Sequence, residues 1–218
     1  ATFCLAAGTA AIRSQHLGDM ENLETLQAFT AAVQHMRGLF RIEPERVVAD
    51  LHPRYLSTKW AQEAFPDDTV LVQHHHAHIG SVMAENGHTD PVVGFSFDGT
   101  GYGTDGTIWG GEVLVGDLDG LERAGHLASA RLVGGDAAVK RPYRMALSLL
   151  WAAGLDWSDD LPPVARAGAE ERRVVRHQLE TGLNSVETTS MGRLFDAVSS
   201  LAGVCHEVSY EGQAAIEL

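Results

Sequence analysis

Residues 69–86 read Thr69-Val70-Leu71-Val72-Gln73-His74-His75-His76-Ala77-His78-Ile79-Gly80-Ser81-Val82-Met83-Ala84-Glu85-Asn86. Thr69–Gln73 is an apolar, β-branched run, which is a strand pattern. The histidine run follows it directly and leads into a helix through about Asn86, closed by Gly87. Upstream, Arg46–Asp50 is a short apolar strand ending in a carboxylate. Asp50-Leu51-His52-Pro53 then turns the chain, since the residue before a proline avoids helix. Tyr55–Ala64 reads as a helix stopped by Pro66. This strand–helix–strand–helix alternation predicts an α/β layer with parallel pairing.

The pattern extends in both directions. Thr2–Ala6 and Ala10–His16 are strands around a hairpin turn at Ala7-Gly8-Thr9. Asn22–Phe40 carries apolar residues at helical spacing, with Asp19 or Asn22 as its cap. A second unit starts at Pro91: strand Val92–Phe97, a glycine-rich turn, strand Thr107–Val115 and a third strand at Leu121–Ala128. From Arg141 onward the pattern is helical, over Tyr143–Ala153, Ala167–Gly182, Met191–Ala202 and Tyr210–Leu218, with Pro162-Pro163 as a breaker. Both ends of the 218-residue chain read as interrupted, the first in a strand and the last in a helix.

The formal charge of −13 argues against general affinity for nucleic acid, which needs a positive surface. No apolar run approaches the roughly 20 residues that span a bilayer. Cys4 and Cys205 lie far apart without a CxxC motif. That pattern argues against a disulfide framework, fits the cytoplasm and predicts two buried apolar thiols.

His74 and His78 stand four apart, so one helix face presents both to a single metal ion, while His75 and His76 point elsewhere. Imidazole suits zinc or iron, and a further ligand, often a carboxylate, must complete the set. Asp98, Asp105 or a residue beyond position 218 are the candidates. Asp98-Gly99-Thr100-Gly101-Tyr102-Gly103-Thr104-Asp105-Gly106 lies between two strands. Its glycines permit positive φ and close backbone approach, and consecutive amides in such a turn form a nest for phosphate or carboxylate oxygens. It is not a Walker loop, because no Gly-Lys-Ser/Thr follows.

Weaker signals remain. Gly134-Gly135-Asp136 with Lys140 and Arg144 is a glycine pair before a helix with cations nearby, and alone reads as a solvated loop. Ser190-Met191-Gly192 and Tyr210-Glu211-Gly212 open helices, where serine caps and glycine lets a flat ligand approach. Asp159-Asp160 and Glu170-Glu171 read as solvated charge.

Seven segments, in order QHLGDMENLET, ADLHPRYLSTKWA, HHHAHIGSVMAENG, FDGTGYGTDGTIWGGE, GGDAAVKRPYRMAL, TTSMGRLFDAV and YEGQAAIEL, resemble the HypF carbamoyltransferases of nickel–iron hydrogenase maturation. The match is to the C-terminal domain of that family, which is similar to Kae1/TsaD. The resemblance implies an α/β fold of the actin-like ATPase (ASKHA) type, with RNase H-like lobes facing a nucleotide cleft and incomplete at both ends. Residues 1–90 would be the first lobe without its opening strand, and 91–218 the start of the second with a helical insertion.

The same resemblance implies an activity. Acylphosphatase and YrdC-like domains upstream in the polypeptide make carbamoyl-adenylate from carbamoyl phosphate and ATP. The Kae1-like domain passes the carbamoyl group to the C-terminal cysteine of a HypE-type acceptor. His74 and His78 match the metal ligands, for iron or zinc; the family's third ligand is an aspartate nearer the C terminus, outside this chain. Asp98, Gly99, Thr100, Gly101 and Gly103 match the segment that holds the phosphate and carbamoyl end, with Asp98 and His78 in catalytic roles. Gly192 and Asp196 match the ribose contact, and Glu211 and Gly212 the loop beside adenosine; magnesium would accompany the nucleotide. Rival readings are a Kae1/TsaD-type threonylcarbamoyltransferase acting on tRNA, a small-molecule O-carbamoyltransferase, and a non-catalytic metal-binding or docking module.

Overall fold

The computed structural model describes residues 1–20 and 22–218, which divide into two compact units, Ala1–His74 and His75–Leu218. In the first unit, β1 (Cys4–Ala7) and β2 (Ala10–Arg13) form an antiparallel hairpin that turns between the paired residues Ala7 and Ala10. Helix α1 (Leu23–Phe40) starts where the Asn22 side chain accepts from the Thr25 amide at 2.8 Å. It stops at Arg41, whose backbone is left-handed. Strand β3 (Val47–Asp50), helix α2 (Leu56–Ala64) and strand β4 (Thr69–Val72) follow. β3 and β4 pair in parallel, with Val47 opposite Thr69 and Asp50 opposite Val72. This is the parallel unit predicted from the alternation. Its core collects Leu5, Phe29, Val33, Met36 and Ala61, with Phe29 meeting the edges of Phe3 and Trp60.

Helix α3 (His74–Glu85) leads into the second unit, and Gly87, just past its end, takes a positive φ. A five-stranded sheet follows from β5 (Val92–Tyr102), β6 (Ile108–Asp117), β7 (Gly120–His126), β8 (Ala130–Val133) and β9 (Ser185–Thr188). The order is β5-β6-β9-β8, with β7 also on β6. All pairings here are antiparallel except β6 with β9. The antiparallel pairing of β5 with β6 matches the returning strand expected after the glycine-rich segment. Strand β5 is an edge strand within its sheet, and one side of it exposes Val93, Phe95 and Phe97.

Between β8 and β9 the chain forms α4 (Asp136–Lys140), α5 (Pro142–Ala152), α6 (Pro162–Arg166) and α7 (Ala169–Thr181). After β9 come α8 (Met191–Leu201) and α9 (Gln213–Glu217). Val133, Tyr143, Leu147, Leu150, Val164, Val175 and Leu179 form one core cluster, and Leu132, Met145, Ala146 and Ala197 a second. Ile79, Met83 and Leu114 seat α3 on the sheet.

Several expectations are corrected. The Asp98–Gly106 segment is not a long turn: β5 runs on to Tyr102, with a register shift between Phe97 and Gly101. Pro162 and Pro163 lie between α5 and α7 as expected, but they also begin the short helix α6, where their missing amide protons cost nothing. The last helix begins at Gln213, so Tyr210–Gly212 lies outside it. Strands β8 and β9 and helix α4 were not anticipated. Cys205 is buried as expected, but Cys4 is exposed. No helix among the described residues is long and apolar enough to cross a membrane.

Candidate functional site

Helix α3 presents His74 and His78 one turn apart, and strand β5 carries Asp98. One ligand atom from each of these three residues lies within 4.8 Å of the others. Two imidazole nitrogens and a carboxylate oxygen are a donor set that suits zinc or ferrous iron, so the residues present fit a metal of that kind. Of the two aspartates expected to complete the set, Asp98 is the one beside the imidazoles. Asp105 is turned to other work: its Oδ1 accepts from the Thr107 amide and hydroxyl and from Trp109 Nε1, and its Oδ2 from Arg123.

The other two histidines of the run have separate settings. His75 is fully buried and packs over Gly101, where an added Cβ would sit 2.2 Å from the imidazole Cε1. Burial holds the pKa of His76 below its ordinary value. His74 meets a residue that no local motif marks. Asp50, the last residue of β3, contacts Nδ1 of His74 through Oδ2 at 2.7 Å. Burial raises the Asp50 pKa, but the bond to His74 and the His52 amide outweigh it, and the net shift is downward.

The glycines near Asp98 are explained mainly by packing, because only Gly106 of that run has a positive φ. A Cβ at Gly94 would meet Ile79 Cδ1 at 2.3 Å, and one at Gly103 would meet Trp109 Nε1 at 2.3 Å. On β6, a Cβ at Gly110 would sit 2.5 Å from the Asp98 carbonyl oxygen, and one at Gly111 would sit 2.4 Å from that of Thr189. The extended backbone replaces the expected nest of consecutive amides, and the Gly99 amide donates to Asp98 Oδ1 at 2.6 Å.

Helix α8 begins on this strand. Ser190 caps it by accepting from the Arg193 amide at 3.1 Å, and its hydroxyl donates to the Gly99 carbonyl at 2.6 Å. Gly192 lies so close that a Cβ would come within 2.8 Å of Gly99 Cα. The N-terminus of an eleven-residue helix, with its favourable dipole, is thereby fixed against the Asp98–Gly99 backbone.

Behind the hairpin lies Glu112, 0% exposed and absent from the sequence-based candidates. Its Oε1 accepts from the Gly110 and Gly111 amides and the Thr189 hydroxyl, and its Oε2 from Arg123 Nε at 2.6 Å. Burial alone would raise its pKa, but these donors, Arg123 foremost, hold it below the ordinary value. The Arg123 guanidinium also lies over the Trp109 ring, 4.1 Å from its centroid.

The remaining candidates are dispersed. Asp196 is 5% exposed and pairs with Arg193 at 2.7 Å; burial raises its pKa and Arg193 only partly offsets this. Glu211 and Gly212 are exposed, and Gly212 takes a φ of 77° ahead of α9. Thr100 is exposed on β5. Arg144 is not an anion site but is buried, bonded to Glu171 and to the Val133 carbonyl. Glu171, read from the sequence as solvated, gathers Arg141, Tyr143 and Arg144.

A mixed α/β chain with a histidine pair and a carboxylate beside a helix N-terminus defines a class, and comparison with known proteins gives that class its name. The profile described as "Carbamoyltransferase, Kae1-like Domain, second subdomain" matches residues 94–218, and that described as "HypF Kae1-like domain" matches residues 1–85. The fold is thus Kae1-like, of the expected actin-like ATPase type. The chain belongs to the HypF carbamoyltransferase family. It is 42% identical over 220 residues to carbamoyltransferase HypF2 of Cupriavidus necator, covering 100% of this chain and 27% of that protein. It is 42% identical over 233 residues to carbamoyltransferase HypF of Synechocystis sp., covering 100% of this chain and 30% of the relative. Among solved structures it matches full-length HypF in the phosphate- and nucleotide-bound form, with a TM-score of 0.93 and 40% identity over 100% of this chain and 28% of that one. It also matches HypF of T. kodakarensis, with a TM-score of 0.83 and 35% identity over 95% of this chain and 29% of that one. The chain spans less than a third of the length of these relatives.

Proposed function

We propose that this chain carries the carbamoyl-transfer site of a HypF-type enzyme. In this reading it binds carbamoyl-adenylate, made from carbamoyl phosphate and ATP by acylphosphatase and YrdC-like domains of the same polypeptide. It passes the carbamoyl group to the C-terminal cysteine of a HypE-type acceptor in the cytoplasm, on the way to the cyanide ligands of a nickel–iron hydrogenase. The observation that carries the reading is the grouping of His74, His78 and Asp98 on α3 and β5 in a member of this family.

The chemistry follows from the groups present. Carbamoyl-adenylate is a mixed anhydride: the acceptor thiolate forms the C–S bond, the C–O bond to phosphate breaks, and AMP leaves with the electron pair. His74, His78 and Asp98 would hold the zinc or iron ion, which when bound supplies Lewis acidity toward a phosphate or carbonyl oxygen. The first turn of α8 favours negative charge near Gly99 and Gly192. The Asp98–Gly103 segment of β5 lines the phosphate and carbamoyl end, with the first turn of α8 packed on it at Gly99. Asp196 with Gly192 receives the ribose, and Glu211 with Gly212 lies beside adenosine, with magnesium on the phosphates. Residues 1–90 act as the first lobe and 91–218 as the second with its helical insertion.

No internal thiol is needed. Burial, together with Glu217, raises the Cys205 pKa and keeps it a poor thiolate. The test is to incubate the full-length enzyme with ATP, carbamoyl phosphate and purified acceptor, then weigh the acceptor. One carbamoyl group gained, and lost with His78→Ala, is the expected result. No gain with the wild type would overturn the reading in favour of a tRNA or small-molecule acceptor.

A further inference from the structure

The segment Asp50-Leu51-His52-Pro53 has no part in the function proposed above, yet it is tightly organised. Parallel pairing places Asp50 opposite Val72, and the Leu51 amide donates to the Val72 carbonyl at 2.9 Å. The end of β3 therefore lies beside the end of β4, where the chain passes through Gln73 into His74. Both carboxylate oxygens of Asp50 are assigned. Oδ1 accepts from the His52 amide at 2.7 Å, which fixes the plane of the group, and Oδ2 meets His74 Nδ1 at 2.7 Å. The Asp50 carbonyl in turn accepts from Thr58 on α2 at 2.9 Å, and His52 stacks on Tyr55 with ring centroids 4.2 Å apart. The carboxylate is thus oriented by the His52 amide, on a backbone anchored by Thr58, and aimed at one nitrogen.

We infer that Asp50 is a positioning residue of the metal centre: it accepts the Nδ1 proton of His74 and so commits Nε2 to the metal. An acceptor-only carboxylate at Nδ1 selects the Nδ1–H tautomer, the one whose Nε2 lone pair can ligate. It also restrains the ring plane and raises the basicity of the ligating nitrogen, as partners of metal-bound histidines do. The inference rests on the metal reading of His74, His78 and Asp98, and its test separates the two.

Asp50→Asn is the informative variant. Asparagine keeps an oxygen for the His52 amide and so preserves the turn, but it places an NH2 donor where Oδ2 stood. That donor favours the opposite tautomer of His74. Zinc affinity of the metal-free protein is measured by competition with a chromophoric chelator, beside wild type and His78→Ala, with circular dichroism to verify folding. The expected result is a loss of about 10–100-fold in Asp50→Asn with an unchanged spectrum. Long-range proton–nitrogen NMR of wild-type protein provides a readout that needs no variant, and the Nδ1–H form of His74 is expected. Wild-type zinc affinity in Asp50→Asn, or an Nε2–H tautomer in the wild type, would overturn the role of Asp50 while His78→Ala still lost zinc. Zinc affinity unaffected by His78→Ala would instead remove the metal site, and the inference with it.

Discussion

Arg123 reaches across from β7 to place its Nε 2.6 Å from Oε2 of the fully buried Glu112 on β6. The same guanidinium bonds Asp105 in the turn and Thr189 just before α8. One cation therefore ties together the hairpin tip, the sheet and the approach to α8.

Removing that cation leaves a carboxylate in the interior without its charge partner. Breaking one side of a buried pair costs about 3–5 kcal/mol. Arg123→Ala should therefore lower the unfolding free energy by that order in urea titrations. A loss below about 1 kcal/mol would mean that the four donors to Glu112 are not acting as a unit.

Acidification should act at the same place. The Glu112 pKa is lowered in the fold from an ordinary value of 4.5. The stabilisation is thus fully present above 4.5 and is lost as the pH falls through the lower, folded value. Asp105 and Glu171 are depressed too and add in the same direction. Stability measured against pH should fall below that point, and the slope should flatten in Glu112→Gln. An unchanged slope would assign the acid sensitivity to other carboxylates.

Gly192 and Gly99 make opposite predictions. Alanine in a helix gains about 1 kcal/mol over glycine, but at 192 its Cβ would sit 2.8 Å from the Gly99 Cα, a backbone atom that no rotamer change can move. Overpacking of this kind costs about 1–3 kcal/mol, so Gly192→Ala should be destabilising overall. A Cβ at Gly99 meets nothing within 4 Å, so Gly99→Ala should melt close to wild type. Equal melting temperatures for the two variants would show that α8 can shift along β5.

The cap of α1 is a separate, local case. Asn22→Ala removes the acceptor for the Thr25 amide and should cost about 1 kcal/mol. Asn22→Asp should restore it, since aspartate caps equally well. Loss in both variants would place the role of Asn22 elsewhere.

The strands and helices of the first unit were legible because each apolar stretch there has a single period and a clear stop. Pro66 follows α2 and Asn22 precedes α1. Strands β8 and β9 were not legible, because four residues such as Ala130–Val133 or Ser185–Thr188 carry too little alternation to stand out. The glycine run was misread as a turn for a different reason. Gly101 answers to His75 and Gly103 to Trp109 packing against the strand, and a local pattern contains neither of those partners.

The candidate site divides along the same line. His74 and His78 were visible because their spacing is that of one helix. Asp50 was not, because its partner stands 24 positions away and meets it only through the parallel register. Glu112 followed two glycines with nothing to mark it, and its partner Arg123 becomes apparent only once β6 and β7 pair.

The crowding at Gly94, Gly110 and Gly111 bears on how a mutational survey of this region would look. None of the three is proposed to donate an atom to chemistry, yet a methyl group at any of them would overlap Ile79, the Asp98 carbonyl or the Thr189 carbonyl. Scored by activity alone, these positions would tolerate change as poorly as the histidines. Intolerance here would record lack of room, and a tally of sensitive residues would overstate how many take part in the reaction.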